Sequence, residues 1–160
     1  MQSEIRDTAI SLKFLVSVTP ESAFHMFTED FARWYPSEYS WSQEVLESIG
    51  IEPGEGGHCY ETGPFGFRLD WGRVLVWDPP HRLVFTWQIG ADRQPVPDPA
   101  MAGEVDIRFL PEGQAQARVQ FEHRGFDRYH GDSAIYQSMM ASDQGWPYIL
   151  GRFREACGQA

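Results

Sequence analysis

The sequence is short of positive charge. Lys13 is its one lysine, 13 basic residues face 23 acidic ones, and the formal net charge is −10. No Lys/Arg cluster offsets that balance, so neither nucleic acid nor an anionic membrane surface is an expected partner. Long apolar runs are missing too, and with them any membrane-spanning helix. Residues 1–8 lack the apolar stretch of a secretory signal, and residues 10–18 alternate too regularly to supply one. Cysteine is scarce: Cys59 and Cys157 stand alone, in no metal-like spacing. These absences together predict a cytoplasmic protein with both thiols reduced and unpaired.

Apolar and aromatic residues are plentiful, at 42% and 14%, with 6 Trp and 11 Phe. Residues 1–160 are read as a single domain with an aromatic-rich core. Ile10, Leu12, Phe14, Val16 and Val18 alternate with polar residues, the period of a half-buried strand. Thr19-Pro20-Glu21 is a helix start: a capping hydroxyl, a proline at the first helical position and an acid at the positive end of the dipole. Ala23, Phe24 and Phe27 are its buried side, and a second short helix is expected over residues 29–34. Strands follow at 45–51, 57–62, 67–77, 82–89, 104–109 and 117–122, separated by Pro- and Gly-rich turns. Residues 90–102, with Pro95, Pro97 and Pro99, read as a mobile loop.

Residues 132–157 form the long C-terminal helix. At about 100° per residue, Ile135, Met139, Trp146, Ile149, Leu150, Phe153 and Cys157 share one apolar face. Met140 projects elsewhere. Gly145-Trp146-Pro147 predicts a kink or break. The predicted class is α+β, in the order β-α-α-β6-α. A curved antiparallel sheet of about seven strands wraps round the helix.

Several pieces in this order resemble a known family. They are Thr19-Pro20-Glu21 before Phe24 and Phe27, Phe31-Ala32-Arg33-Trp34, and Gly56-Gly57 before Tyr60-Glu61. Trp71-Gly72-Arg73-Val74 running into Asp78-Pro79-Pro80-His81-Arg82-Leu83, Thr86-Trp87, Glu122-His123, and Gly145-Trp146-Pro147 before Leu150 complete the set. The chain resembles the helix-grip, START/Bet v 1-like (SRPBCC) superfamily, in the branch related to the C-terminal domain of the activator of Hsp90 ATPase. The resemblance implies a cavity between sheet and helix that takes lipids, sterols, polyketides or other apolar ligands, with catalysis in some members. An Hsp90-type chaperone is the protein partner it raises. The co-chaperone that names the branch also has an N-terminal domain for which this chain has no room, so an apolar or aromatic small molecule is the expected partner.

The candidate ligand-binding residues are Trp34, Trp41, Tyr60, Trp71, Trp87, Phe121, His123, Met139 and Trp146, with Tyr35 beside them. Aromatic rings also fill cores, and each residue alone fits that role; as a set they mark a pocket. His123 continues the inward phase of Phe121, either as a polar group in the cavity or as a strand-end histidine bonded to backbone. An enzyme of this fold, cyclase- or hydrolase-like, would use His123 or a buried carboxylate. A stress-related, co-chaperone-like interaction module is the third reading. Glu61, Asp70 and Arg73 lie in neighbouring strands, where either a buried ion pair or a surface ladder is expected. The five histidines show no metal spacing, no phosphate loop or nucleophile elbow occurs, and no cofactor is expected. His58 and Cys59 are adjacent in a strand and so point to opposite faces.

Overall fold

A computed structural model describes residues 1–158. The chain runs β1 (Glu4–Arg6), β2 (Ala9–Val16), α1 (Pro20–Thr28), α2 (Phe31–Trp34), β3 (Ser48–Ile51), β4 (His58–Thr62), β5 (Arg68–Asp78), β6 (Arg82–Trp87), β7 (Gly103–Glu112), β8 (Gln116–Arg124), α3 (Ser133–Ala141) and α4 (Trp146–Ala156). Among the described residues the strands form one 8-stranded sheet in the order β1-β2-β8-β7-β6-β5-β4-β3. Every neighbouring pair is antiparallel. The α+β helix-grip architecture is therefore as expected, with one strand more. The extra strand, β1, is three exposed residues on the β2 edge, too short to show a period.

β5 gives its first half to β4 and its second half to β6, with a register shift in each ladder. Such bulges bend a strand, and here they curl the sheet round its contents. The inward phase is Ile10, Leu12, Phe14 and Val16 on β2, Val105, Ile107 and Phe109 on β7, and Ala117, Val119, Phe121 and His123 on β8, all buried. α1 starts as predicted. The Thr19 hydroxyl accepts from the Ser22 amide at 3.2 Å, Pro20 opens the helix, and Ala23, Phe24 and Phe27 are buried.

α4 lies inside the sheet's curve, with Trp146, Ile149, Leu150 and Phe153 buried. The Phe153 ring meets Phe27 and Trp34 edge-on at 5.3 Å each, and Phe14 at 6.3 Å. Phe27 also contacts Phe31, Phe85 and Phe109. Aromatic side chains thus fill the space between sheet and α4.

Three expectations change. First, the predicted break separates two helices whose faces are not in phase. Ser142 is extended (ψ 171°) and Gly145 is non-helical, so a 100° count carried through them fails. Ile135 and Met139 are 57% and 52% exposed, whereas Tyr136 and Gln137 are buried. Gln137 is held inward because its amide donates to the carbonyls of Asp7 and Ala9, both at 3.0 Å. Met140, expected to project away, packs partly buried against the core. A Cβ on Gly145 would sit 2.2 Å from the Met140 carbonyl oxygen, so the tight turn admits no side chain there.

Second, residues 90–102 are tied down. Ile89 and Pro95 form a β-bridge, Gly90 N–H donates to Gln94 at 2.8 Å, and Val96 N–H donates to Gln88 at 2.9 Å. Ile89, Ala91 and Val96 pack on the core. Third, strand pairing begins at Ser48, not at residue 45, and β6 ends at Trp87, not at 89. No helix among the described residues is long and apolar enough to cross a membrane.

Phe153→Ala should lower the unfolding free energy by roughly 3–5 kcal/mol, the cost of a large aromatic cavity. Urea denaturation measures it, and a change of a few tenths would show that the ring is not central to the core.

Candidate functional site

With the centre filled, open space is left at one end of the grip. There the segment after β6, the turn after α2 and the α3–α4 junction leave a cleft of about 350 Å³. Trp87, Ile89 and Ala91 form one wall, and Met139, Met140 and Ile149 another. Tyr35, Tyr39, Tyr136 and Arg93 bring polar groups to it. Its volume is at the lower end of the range for small-molecule sites, and its mainly apolar lining with few polar groups suits one.

A chain of hydrogen bonds braces the Trp87 wall. The Trp146 indole N–H donates to His123 Nδ1 at 3.0 Å. An indole can only donate, so Nδ1 is the acceptor and the His123 proton sits on Nε2, 2.9 Å from the Tyr129 hydroxyl. That hydroxyl donates to the Trp87 carbonyl at 2.6 Å. The Trp87 indole then donates to the Tyr136 hydroxyl at 3.0 Å, which in turn donates to the Ile89 carbonyl. Burial pushes the Tyr129 and Tyr136 hydroxyls well above their ordinary range, so both remain protonated donors.

Tyr35 differs. It is 7% exposed and lines the cleft, yet its hydroxyl has no hydrogen-bond partner among the described residues. Burial raises its pKa as well. Tyr39 donates to the Gln144 carbonyl at 2.8 Å across the mouth. Arg93 stands in a left-handed backbone conformation (φ 64°), uncommon for a side-chain-bearing residue. The Trp41 indole fixes it there, donating to the Arg93 carbonyl at 2.7 Å.

Of the nine expected ligand-binding residues, Trp87 and Met139 line this cleft. Trp34, Trp71, Phe121, His123 and Trp146 lie in the packed interior, at most 2% exposed. Trp71 stacks on Phe31 at 5.3 Å, and Trp146 packs on Phe121 at 4.5 Å and on Trp87 at 4.7 Å. The rings occupy the volume that a cavity would need. Trp41 lines a separate shallow groove with Phe67 and Pro95. Tyr60 lies under the Arg68 guanidinium, 4.9 Å from its ring centre. Tyr39, Arg93 and Tyr136 were not anticipated as site residues. Arg93 and Tyr39 sit in irregular segments without periodicity, and Tyr136 is not on the apolar face read for residues 132–157.

His123 is fully buried, and desolvation lowers its pKa to about 3. With both ring nitrogens bonded and the ring neutral, it does not serve as an acid or base near neutrality. Glu61 is buried but pairs with no guanidinium; it accepts from the backbone amides of Trp41 and Ser42 at 3.1 and 3.0 Å. Asp70 meets Arg68 and His58 on the surface, and Arg73 is exposed. Cys59 points inward, away from its neighbour His58, and both cysteines are free and buried. Among the described residues no three His, Cys, Asp or Glu side chains gather as a metal site. On the outer face of the sheet, a depression of about 440 Å³ is lined by Lys13, Arg82, Asp106, Arg108 and Arg124. Asp106 pairs there with Arg82 at 2.7 Å and Arg124 at 2.8 Å. Burial alone would raise its carboxyl, but those guanidinium groups hold it below the usual range, and the face reads as a charge ladder.

Residues 17–158 match the family model described as activator of Hsp90 ATPase homolog 1-like protein. Among solved structures, the chain is similar to an anthrahydroquino-γ-pyrone synthase, Txn09, with 30% identity, 93% of this chain and 96% of that one covered, and a TM-score of 0.66. It is similar to a self-sacrificing resistance protein, CalC from Micromonospora echinospora, with 28% identity, 94% of each chain covered and a TM-score of 0.68. Protein MLL2253 from Mesorhizobium loti shares the fold, at 19% identity, 92% and 94% coverage and a TM-score of 0.62. No curated protein matches the sequence.

The buried histidine makes a pH prediction. Its native pKa lies below the unfolded value of 6.5, so on acidification the unfolded chain takes up the proton first. The stability is complete above about pH 6.5 and is lost as pH falls toward about 3. Between about pH 6 and pH 4, wild type should lose about 1.4 kcal/mol per pH unit more than His123→Gln, which keeps a donor and an acceptor but does not titrate. Urea unfolding across that range measures the difference, and parallel slopes would refute a neutral native histidine.

Proposed function

The chain belongs to the activator of Hsp90 ATPase homolog 1-like family, within the START/Bet v 1-like superfamily, and we propose that it binds an apolar or aromatic small molecule in the cleft bounded by Trp87, Met140 and Ile149. The observation that carries this is the cleft itself. In a fold whose centre is packed with rings, it is where apolar and aromatic side chains from three separate segments face open space. An apolar cleft this size gains free energy from a ligand whose apolar surface replaces water against its walls. The likeness to a synthase named for a fused-ring aromatic supports a ligand of that kind.

A second reading has one observation behind it. Phe65, on the β4–β5 connection, is completely exposed and left-handed (φ 62°), near Phe67 in sequence at 41% exposure. Exposed aromatic residues of this kind suit a protein partner such as an Hsp90-type chaperone. Loss of chaperone co-precipitation in Phe65→Ser, with ligand binding intact, would favour it.

The cleft reading is tested by thermal shift and Trp fluorescence against lipids, aromatic acids and polyketide-like compounds. Bound compounds should raise the Tm by linkage. Met139→Trp, at the exposed rim, should obstruct the cleft and weaken binding at least about tenfold with little change in stability. A screen in which no compound binds wild type would remove this reading.

A further inference from the structure

Arg93 is the one charged residue lining the cleft, and it is exposed at the cleft mouth. Among the described residues no carboxylate lies within ion-pairing distance of its guanidinium, whose contact is a 3.4 Å hydrogen bond to the Glu38 carbonyl. The acids nearby are engaged elsewhere. The Glu38 carboxylate accepts from the Tyr148 hydroxyl at 3.1 Å, Glu61 from the Trp41 and Ser42 amides, and Asp92 from the Gln94 amide at 3.0 Å. Each accepts from another donor, and the exposed Arg93 guanidinium keeps donors free at the cleft mouth.

The second observation is independent. Tyr35, more than nine-tenths buried, brings to the same cleft a hydroxyl without a partner, while the hydroxyls of Tyr39, Tyr129 and Tyr136 are all bonded to backbone carbonyls. Burial and the Glu61 carboxylate keep that hydroxyl protonated, against a smaller opposing effect of Arg93, so it stays a donor. The same cleft is lined by Trp87, Ile149 and Met140, which suit a flat apolar body.

We propose that the cleft selects a planar aromatic ligand bearing an ionised oxygen, a carboxylate or phenolate, that pairs with the Arg93 guanidinium and accepts the Tyr35 hydroxyl. The inference rests on the cleft being a ligand site and adds the chemical class. The oxygen orients the ligand; the rings supply the contact area. An ionised acceptor makes the stronger charge-assisted bond, so the neutral analogue of the same shape is discriminated against.

The probes are anthracene-2-carboxylate and anthracene-2-carboxamide, titrated calorimetrically near neutral pH. Wild type should bind the carboxylate at least about tenfold tighter than the carboxamide. Arg93→Gln should bring that ratio close to one, and Arg93→Lys should keep part of it. Tyr35→Phe should lose severalfold on the carboxylate, and Met139→Trp should weaken both compounds. Equal affinities in wild type, or a ratio that survives Arg93→Gln, would overturn the ionised-oxygen assignment and leave the cleft reading standing. So would failure of both probes while neutral members of the apolar screen bind. If no compound of any kind binds, the cleft reading and this inference fall together.

Discussion

The hydrogen-bond chain from Trp146 through His123, Tyr129, Trp87 and Tyr136 to the Ile89 carbonyl is the constraint on which the rest of the structure depends. It threads α4, β8, the segment before α3, β6, α3 and the strap after β6. Each member is buried, so each bond lost would leave a polar group stranded away from water. That cost sets the depth of α4 in the sheet, the rotation of α3 and the path of residues 89–96. These are the elements that bound the cleft.

The same chain explains why polar-tipped aromatics, not aliphatic side chains, fill this end of the interior. Trp and Tyr bring large apolar bodies and one polar handle each, and the handles pair among themselves. His123 fits because one ring nitrogen accepts from an indole and the other faces a phenol. Its neutrality follows from burial, so it serves the architecture and not proton transfer. Trp71 departs from this: its indole nitrogen is fully buried with no partner among the described residues. Phe31, Tyr35, Phe85 and Trp87 surround its ring.

Filling the middle moves the usable space to the end of the grip. There the walls come from irregular segments, whose conformation is set by particular bonds and not by a repeating ladder. Arg93 shows this. Its backbone is left-handed, its carbonyl is held by Trp41, and its side chain reaches Glu38. None of those partners is near it in sequence.

The sequence by itself determined the elements whose burial repeats with their own period. Alternation on β2, β7 and β8 is local, so the inward set from Ile10 to His123 could be read directly. So could the capped start of α1, the buried face of α4 and the break at Gly145. Only the tertiary structure decided what depends on distant partners. A helix phase does not survive a break, so the Met139 side of α3 faces out while Tyr136 and Gln137, anchored by carbonyls of Ile89, Asp7 and Ala9, face in. Whether a ring lines a cavity or plugs it depends on which other rings meet it. Trp71 turns inward from its strand as Trp87 does, and Trp34 and Trp146 from their helices, yet Trp87 borders the opening because the cleft forms where β6 ends. Periodicity reports which face a side chain takes; only the packing of all the faces together reports where space is left over.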